Sequence, residues 1–132
     1  MSKIKITNIN MVNGLNTLGV LAGAKLPIKI SYAVKKNIEI ISRELEAYEE
    51  ERKVLINKYG SKDGEGKIRI ENNKYIIDDL ENFNKDIYEL QSIENEIETF
   101  DISLDLLLNS NIELTTGELT TGELTSIEFL LK

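Results

Sequence analysis

A seven-residue apolar repeat runs through the middle of the chain and limits what it can fold into. Val34, Ile38, Ile41, Leu45 and Tyr48, then Leu55 and Tyr59, alternate steps of four and three, with Arg52 where one apolar residue is due. On a helix this spacing makes a narrow apolar seam on one side, and such a seam requires a partner helix. A second seam follows at Leu80, Phe83, Ile87, Leu90 and Ile97, with Glu94 at its defaulting position. Two seams in one short chain predict a helical hairpin that packs on itself or on a second copy. A seam specifies contacts, not chemistry.

With 132 residues the chain has the length of one domain. A domain of this size is marginal by surface-to-volume arguments, and self-association would help it. Its formal charge of −7 disfavours general binding to a nucleic-acid backbone, because that contact runs on Lys and Arg. The absence of Cys and His removes disulfides, thiolate zinc sites, the commonest general base and every triad that needs histidine. No stretch approaches the ~20 apolar residues that span a bilayer. The segment Met11–Ala24 is too interrupted by Asn and Gly for a signal peptide, so a soluble, intracellular protein is expected.

The expected elements follow from local pattern. Residues 1–24 hold a short edge strand at Lys3–Ile6, an N-cap at Thr7 and a weak helix over 8–23, in which Gly14, Gly19 and Gly23 each cost about 1 kcal/mol relative to Ala. Those glycines mark either close approach to a partner or ligand, or simply a poor helix or a loop-like lid. Pro27 suits the first turn of a long helix over 27–59, which Gly60 ends as a left-handed cap. Residues 67–77 read as a β-hairpin turning at Asn72-Asn73, with Asp78 and Glu81 as a capping box for a second helix over 78–97. Alternation at Phe100, Ile102, Leu104 and Leu106 predicts a half-buried strand over 100–106. The tandem Thr-Thr-Gly-Glu-Leu units at Thr115 and Thr120 precede a C-terminal helix over 122–131, with Thr120 and Glu123 as its capping box. The fold class expected is α+β, mostly α: a coiled-coil-like helical hairpin with a small β element and a C-terminal helix.

Two charged groups are candidate binding surfaces. The acidic run Glu44, Glu46, Glu49, Glu50 and Glu51 lies on the outward side of the long helix, and with Arg52 it offers a polar face to a protein partner. Its bland reading is a solvated helix face. Lys25, Lys29, Lys35 and Lys36 form a basic patch at the start of the same helix. With Tyr32 beside them they suit an anionic ligand, or a staggered contact with the acidic end of a second copy. The loop Asp63-Gly64-Glu65-Gly66 lacks both EF-hand and phosphate-loop spacing and reads as a loop tip. No catalytic residue, metal site or cofactor is expected.

Leu26-Pro27-Ile28-Lys29, Glu44-Leu45-Glu46-Ala47-Tyr48-Glu49-Glu50, Lys58-Tyr59-Gly60, Phe83-Asn84-Lys85 and Glu123-Leu124-Thr125-Ser126-Ile127-Glu128 together resemble a family of small uncharacterised proteins of tailed bacteriophages and prophages. The resemblance covers about residues 25–131, and the duplicated Thr-Thr-Gly-Glu-Leu unit departs from it. It implies viral origin and a host cytoplasm, and it brings no functional residues with it. The helix–hairpin–helix order also resembles the layout of prefoldin subunits. The expected function is a non-enzymatic viral interaction protein, a homo-oligomer, that binds and inhibits a host defence protein. Two rivals are sequestration of an anionic signalling nucleotide by the basic patch, and a phage assembly or tail-associated chaperone.

Overall fold

The alternation at Lys3–Ile6 and the cap at Thr7 both form. In the computed structural model, which describes residues 1–110 and 119–132, β1 (Ser2–Thr7) runs directly into α1 (Asn8–Ala22). The Thr7 hydroxyl accepts the Asn10 N–H at 3.3 Å, satisfying one of the donors that a helix start leaves open. Pro27 precedes α2 (Ile28–Glu44), and α3 (Glu46–Tyr59) follows. The turn at Asn72 and Asn73, with φ of 51° and 62°, joins β2 (Ile70–Glu71) to β3 (Lys74–Tyr75). Two consecutive left-handed residues match the twist of a hairpin, which is why Asn serves there. α4 (Leu80–Gln91), β4 (Glu94–Thr99), α5 (Leu104–Leu108), α6 (Thr121–Ser126) and a 3₁₀ turn (Glu128–Leu130) complete an α+β, mostly helical fold. No helix among the described residues is long and apolar enough to cross a membrane.

Four expected boundaries are corrected. The long helix over 27–59 is two helices, broken at Leu45, whose ψ of −6° departs from α-helical geometry. The second helix stops at Gln91 rather than 97. Glu94, where the seam defaults, instead begins β4, and Ile97 is buried in a strand. No strand covers 100–106: Ile102 forms a single bridge with Leu131, and Ser103 caps α5. The C-terminal helix over 122–131 is shorter, ending at Ser126 before the 3₁₀ turn. The Thr120–Glu123 capping box forms as expected, whereas Asp79, not Asp78, caps α4 by accepting the Asn82 N–H. Residues 115–118 of the first Thr-Thr-Gly-Glu-Leu unit lie outside the described residues.

The single domain expected is resolved into two compact units. Met1–Leu45 with Glu94–Lys132 form the first, and Glu46–Ile93, continuous in sequence, form the second. In the first unit β1 pairs antiparallel with β4 from Ser2↔Thr99 to Thr7↔Glu94. Ile4 faces Ile97 across the ladder, while Lys3 and Glu98 meet on the exposed side at 3.9 Å. Met11, Leu18, Leu21, Ile30, Ile41, Ile102, Leu107, Ile127 and Leu130 fill the core. Each buried aliphatic side chain of this kind is worth roughly 1.5–3 kcal/mol before chain entropy is counted. Asn37 sits in the same buried stripe of α2, fully enclosed. Its amide donates to the Phe100 carbonyl and accepts the Phe100 N–H, both at 2.8 Å, so it clamps the chain leaving β4 as a neighbouring strand would.

Gly14 answers the question its position raised. A Cβ there would lie 2.8 Å from the Phe129 ring and 3.1 Å from the Ser126 carbonyl. The close approach is therefore to the chain's own C-terminal segment. The adjacent Thr17 and Ser126 hydroxyls meet at 2.5 Å.

In the second unit α3 packs against α4. The Tyr59 ring meets Phe83 edge-on at 6.0 Å, and its hydroxyl donates to the Asp86 carboxylate at 2.6 Å. Gly60 is not a left-handed cap. It forms a β-bridge with Ile77, and a Cβ there would lie 2.6 Å from the Ile56 carbonyl and 2.8 Å from Ile68.

Candidate functional site

The break at Leu45 divides the acidic run. Glu44 closes α2 in the first unit, whereas Glu46, Glu49, Glu50 and Arg52 lie on α3 in the second. All five side chains are exposed. Arg52 reaches Glu49 at 3.7 Å, a surface pair worth ~0–1 kcal/mol, so it holds these side chains only loosely. α3 thus presents a solvated, mainly acidic face with Val54 54% exposed beside it.

The basic patch is only partly assembled. Lys29, Tyr32, Lys35 and Lys36 follow at three- and four-residue steps along α2, whereas Lys25 precedes the helix. Tyr32 packs its edge against Phe100 at 6.0 Å. The Lys36 ammonium stands 5.6 Å from the Tyr32 ring centre and 3.9 Å from the Glu39 carboxylate. Tyr32 and Lys36 are therefore engaged with neighbours in this chain rather than splayed toward an anion.

A different feature, unmarked in the sequence reading, is a cleft in the first unit. Of about 960 Å³, it is bounded by the Lys5–Thr7 end of β1, by α1 and by the α6 segment through Phe129. Asn10, Asn13 and Asn16 line it from α1, in three-residue steps that rise about 4.5 Å each. Among the described residues their side-chain amides make no hydrogen bond within the chain. Among the described residues Glu94, Glu123 and Glu128 supply three carboxylates against the single ammonium of Lys5. Glu123 also accepts the Thr120 N–H at 2.9 Å, so the capping box fixes that wall. Phe129 provides an apolar floor, held by its contact with Gly14. The signal for this site was the spacing of three asparagines on a glycine-interrupted helix. The glycines there read as weakness of the helix, and the asparagines only as interruptions of an apolar segment.

Among the described residues two groups, both in the second unit, have a clearly displaced ionisation. The hydrogen bond Tyr59 donates to Asp86, aided by desolvation, raises the phenol pKa above its ordinary value. Two hydrogen bonds from Asn82, the side-chain amide first and the backbone N–H second, lower the Asp79 pKa. Both effects serve α4 and its packing. Among the described residues no group of three or more acidic, His or Cys side chains is arranged to hold a metal ion.

Comparison of the chain with family models, curated protein sequences and solved structures finds no match.

Proposed function

We propose that this protein is non-enzymatic and acts by binding another protein, and that in the phage setting its motifs suggest it binds and inhibits a host defence protein in the host cytoplasm. One observation carries the reading. In the second unit Val54, Ile70, Tyr75, Leu80, Tyr88 and Ile93 are each at least 50% exposed, while only Tyr48 and Ile56 among its large apolar side chains are buried. Ile70 and Tyr75 stand opposite each other across the hairpin, so two of these side chains form one apolar spot. Exposed apolar clusters rimmed by charge favour protein contacts. The exposed Glu46, Glu49, Glu50 and Arg52 of α3, with Glu44 of α2, supply charge for such a contact. Aromatic side chains supply most of the energy in contacts of this kind, and charged rims mainly set partner choice and association rate.

The reading is tested by using the full chain as bait in host lysate, beside a Tyr75→Ser/Tyr88→Ser variant and a Glu46→Lys/Glu49→Lys/Glu50→Lys variant. The expected result is one host protein recovered in near-stoichiometric amount and lost with either variant. Recovery of no host protein, or equal recovery by all three baits, would overturn it. Self-association, most simply as a two-fold dimer, belongs to the same reading and is checked by molar mass in solution.

A further inference from the structure

We propose that the cleft of the first unit binds an extended, basic peptide segment of a partner protein. This rests on the protein-binding reading above and names where, and in what conformation, a partner segment would sit.

Three features of the cleft select that occupant. The first is the row of Asn10, Asn13 and Asn16. A primary amide offers a donor and an acceptor side by side, and one residue of an extended chain turns its own N–H and C=O to the same side, so each amide can hold one residue through two hydrogen bonds. A helical ligand has its peptide groups already bonded internally and could not use them. A phosphorylated or nucleotide ligand would find one cation, Lys5, among three carboxylates.

The second feature is β1. Among the described residues it has a strand partner, β4, on one side only. In an antiparallel pair every second residue turns its N–H and C=O away from the partner, and those groups are what an added strand uses. The Lys5–Thr7 end of β1 forms part of the cleft wall, which suits an extended main chain. An oligosaccharide could use the amides but has no repeating peptide groups to set against β1.

The third feature is charge. Glu94 and Glu128 have no ion pair among the described residues, and with Glu123 they outnumber Lys5. A Lys or Arg on the incoming segment would complete them, while an acidic segment would be repelled. Phe129 then offers an apolar surface to one further side chain.

The experiment is selection from a random dodecapeptide display library on the full-length chain, followed by fluorescence anisotropy of labelled winners. The expected winners carry net positive charge and lack helical amphipathic spacing. Their Kd should rise about fivefold or more in Asn13→Ala and again in Asn16→Ala, each worth one or two lost hydrogen bonds. Both positions are exposed, so circular dichroism should find both variants folded. Glu128→Lys should weaken binding of the same peptides, and replacing their basic residues by Glu should abolish it. Enrichment of nothing, enrichment of acidic or helical sequences, or winners insensitive to both Asn variants would overturn the proposal. A host partner recovered by the full chain alongside an empty peptide selection would sink the cleft and leave the protein-binding reading standing. Selected peptides with no recoverable host partner would do the reverse.

Discussion

Asn37 is a polar side chain in an otherwise apolar stripe, and replacing it tests how the first unit is held. Asn37→Leu keeps the approximate volume but removes both hydrogen bonds to Phe100, each 2.8 Å long. The Phe100 N–H and C=O would lose their partner in a half-buried site, at about 1–3 kcal/mol apiece. Burying the leucine returns part of that, so a net loss of about 2–4 kcal/mol is expected, a large share of a small domain's stability. Asn37→Asp is the sharper probe. The carboxylate still accepts the Phe100 N–H, but its other oxygen now faces the Phe100 carbonyl. The protonated acid restores a donor there, so the folded-state pKa must lie above the unfolded value of ~3.9. The stability that the protonated form supplies is then fully present below pH ~3.9 and is lost as pH rises through the folded pKa. Urea unfolding of wild type and both variants at pH 7 and pH 4 measures this, with each variant compared to wild type at the same pH. The Leu variant should lose the same amount at both pH values, whereas the Asp deficit should shrink at pH 4. A Leu loss under about 1 kcal/mol, or an Asp deficit that ignores pH, would refute the clamp.

Gly14→Ala gains about 1 kcal/mol of helix propensity but drives a methyl into the Phe129 ring and the Ser126 carbonyl, so a net loss of about 0.5–2 kcal/mol is expected from overpacking. Trimming Phe129 to Leu in the same chain should recover much of it, which a double-mutant cycle by thermal or urea unfolding reads as a coupling. Because its pKa is lowered in the folded chain, Asp79 contributes stability that is present above its unfolded pKa and lost as pH falls through the depressed value. Carboxyl NMR should therefore find Asp79 titrating below the ordinary aspartate value of ~3.9, and Asp79→Ala should speed amide exchange in the first turn of α4. Tyr59 has a raised pKa, so its contribution is present below ~pH 10 and disappears as pH rises through the folded value. The ultraviolet difference titration between wild type and Tyr59→Phe should place that phenol above the ordinary tyrosine value of ~10.

Local signals were legible where a few adjacent residues decide the outcome. The Thr7 cap, the Asn72-Asn73 turn and the Thr120–Glu123 capping box are each fixed by side chains within three residues of the backbone groups they serve. The heptad was misleading where it crossed an element boundary. Ile97 falls at a seam position after Leu90, yet Glu94, Glu96 and Glu98 alternate with Asn95, Ile97 and Thr99, and pairing with β1 made that alternation decisive. The break at Leu45 has no Pro or Gly to announce it, and it falls where one packing unit gives way to the next. The candidate surfaces fared similarly. The exposure of the acidic α3 face followed from its periodicity, whereas the cleft depends on α6 lying against α1, a contact between residues more than a hundred positions apart.

The pairing of Ser2 with Thr99 has a consequence for how the chain is made. During synthesis at ~5–20 residues per second, β1 leaves the ribosome roughly 5–20 s before β4 exists to receive it. Throughout that interval Ile4 and Ile6 belong to a strand with neither edge satisfied, a state that invites pairing between nascent chains. Lys3 and Lys5, alternating with those two isoleucines, are the gatekeepers that keep the waiting strand from joining its neighbours on a crowded polysome.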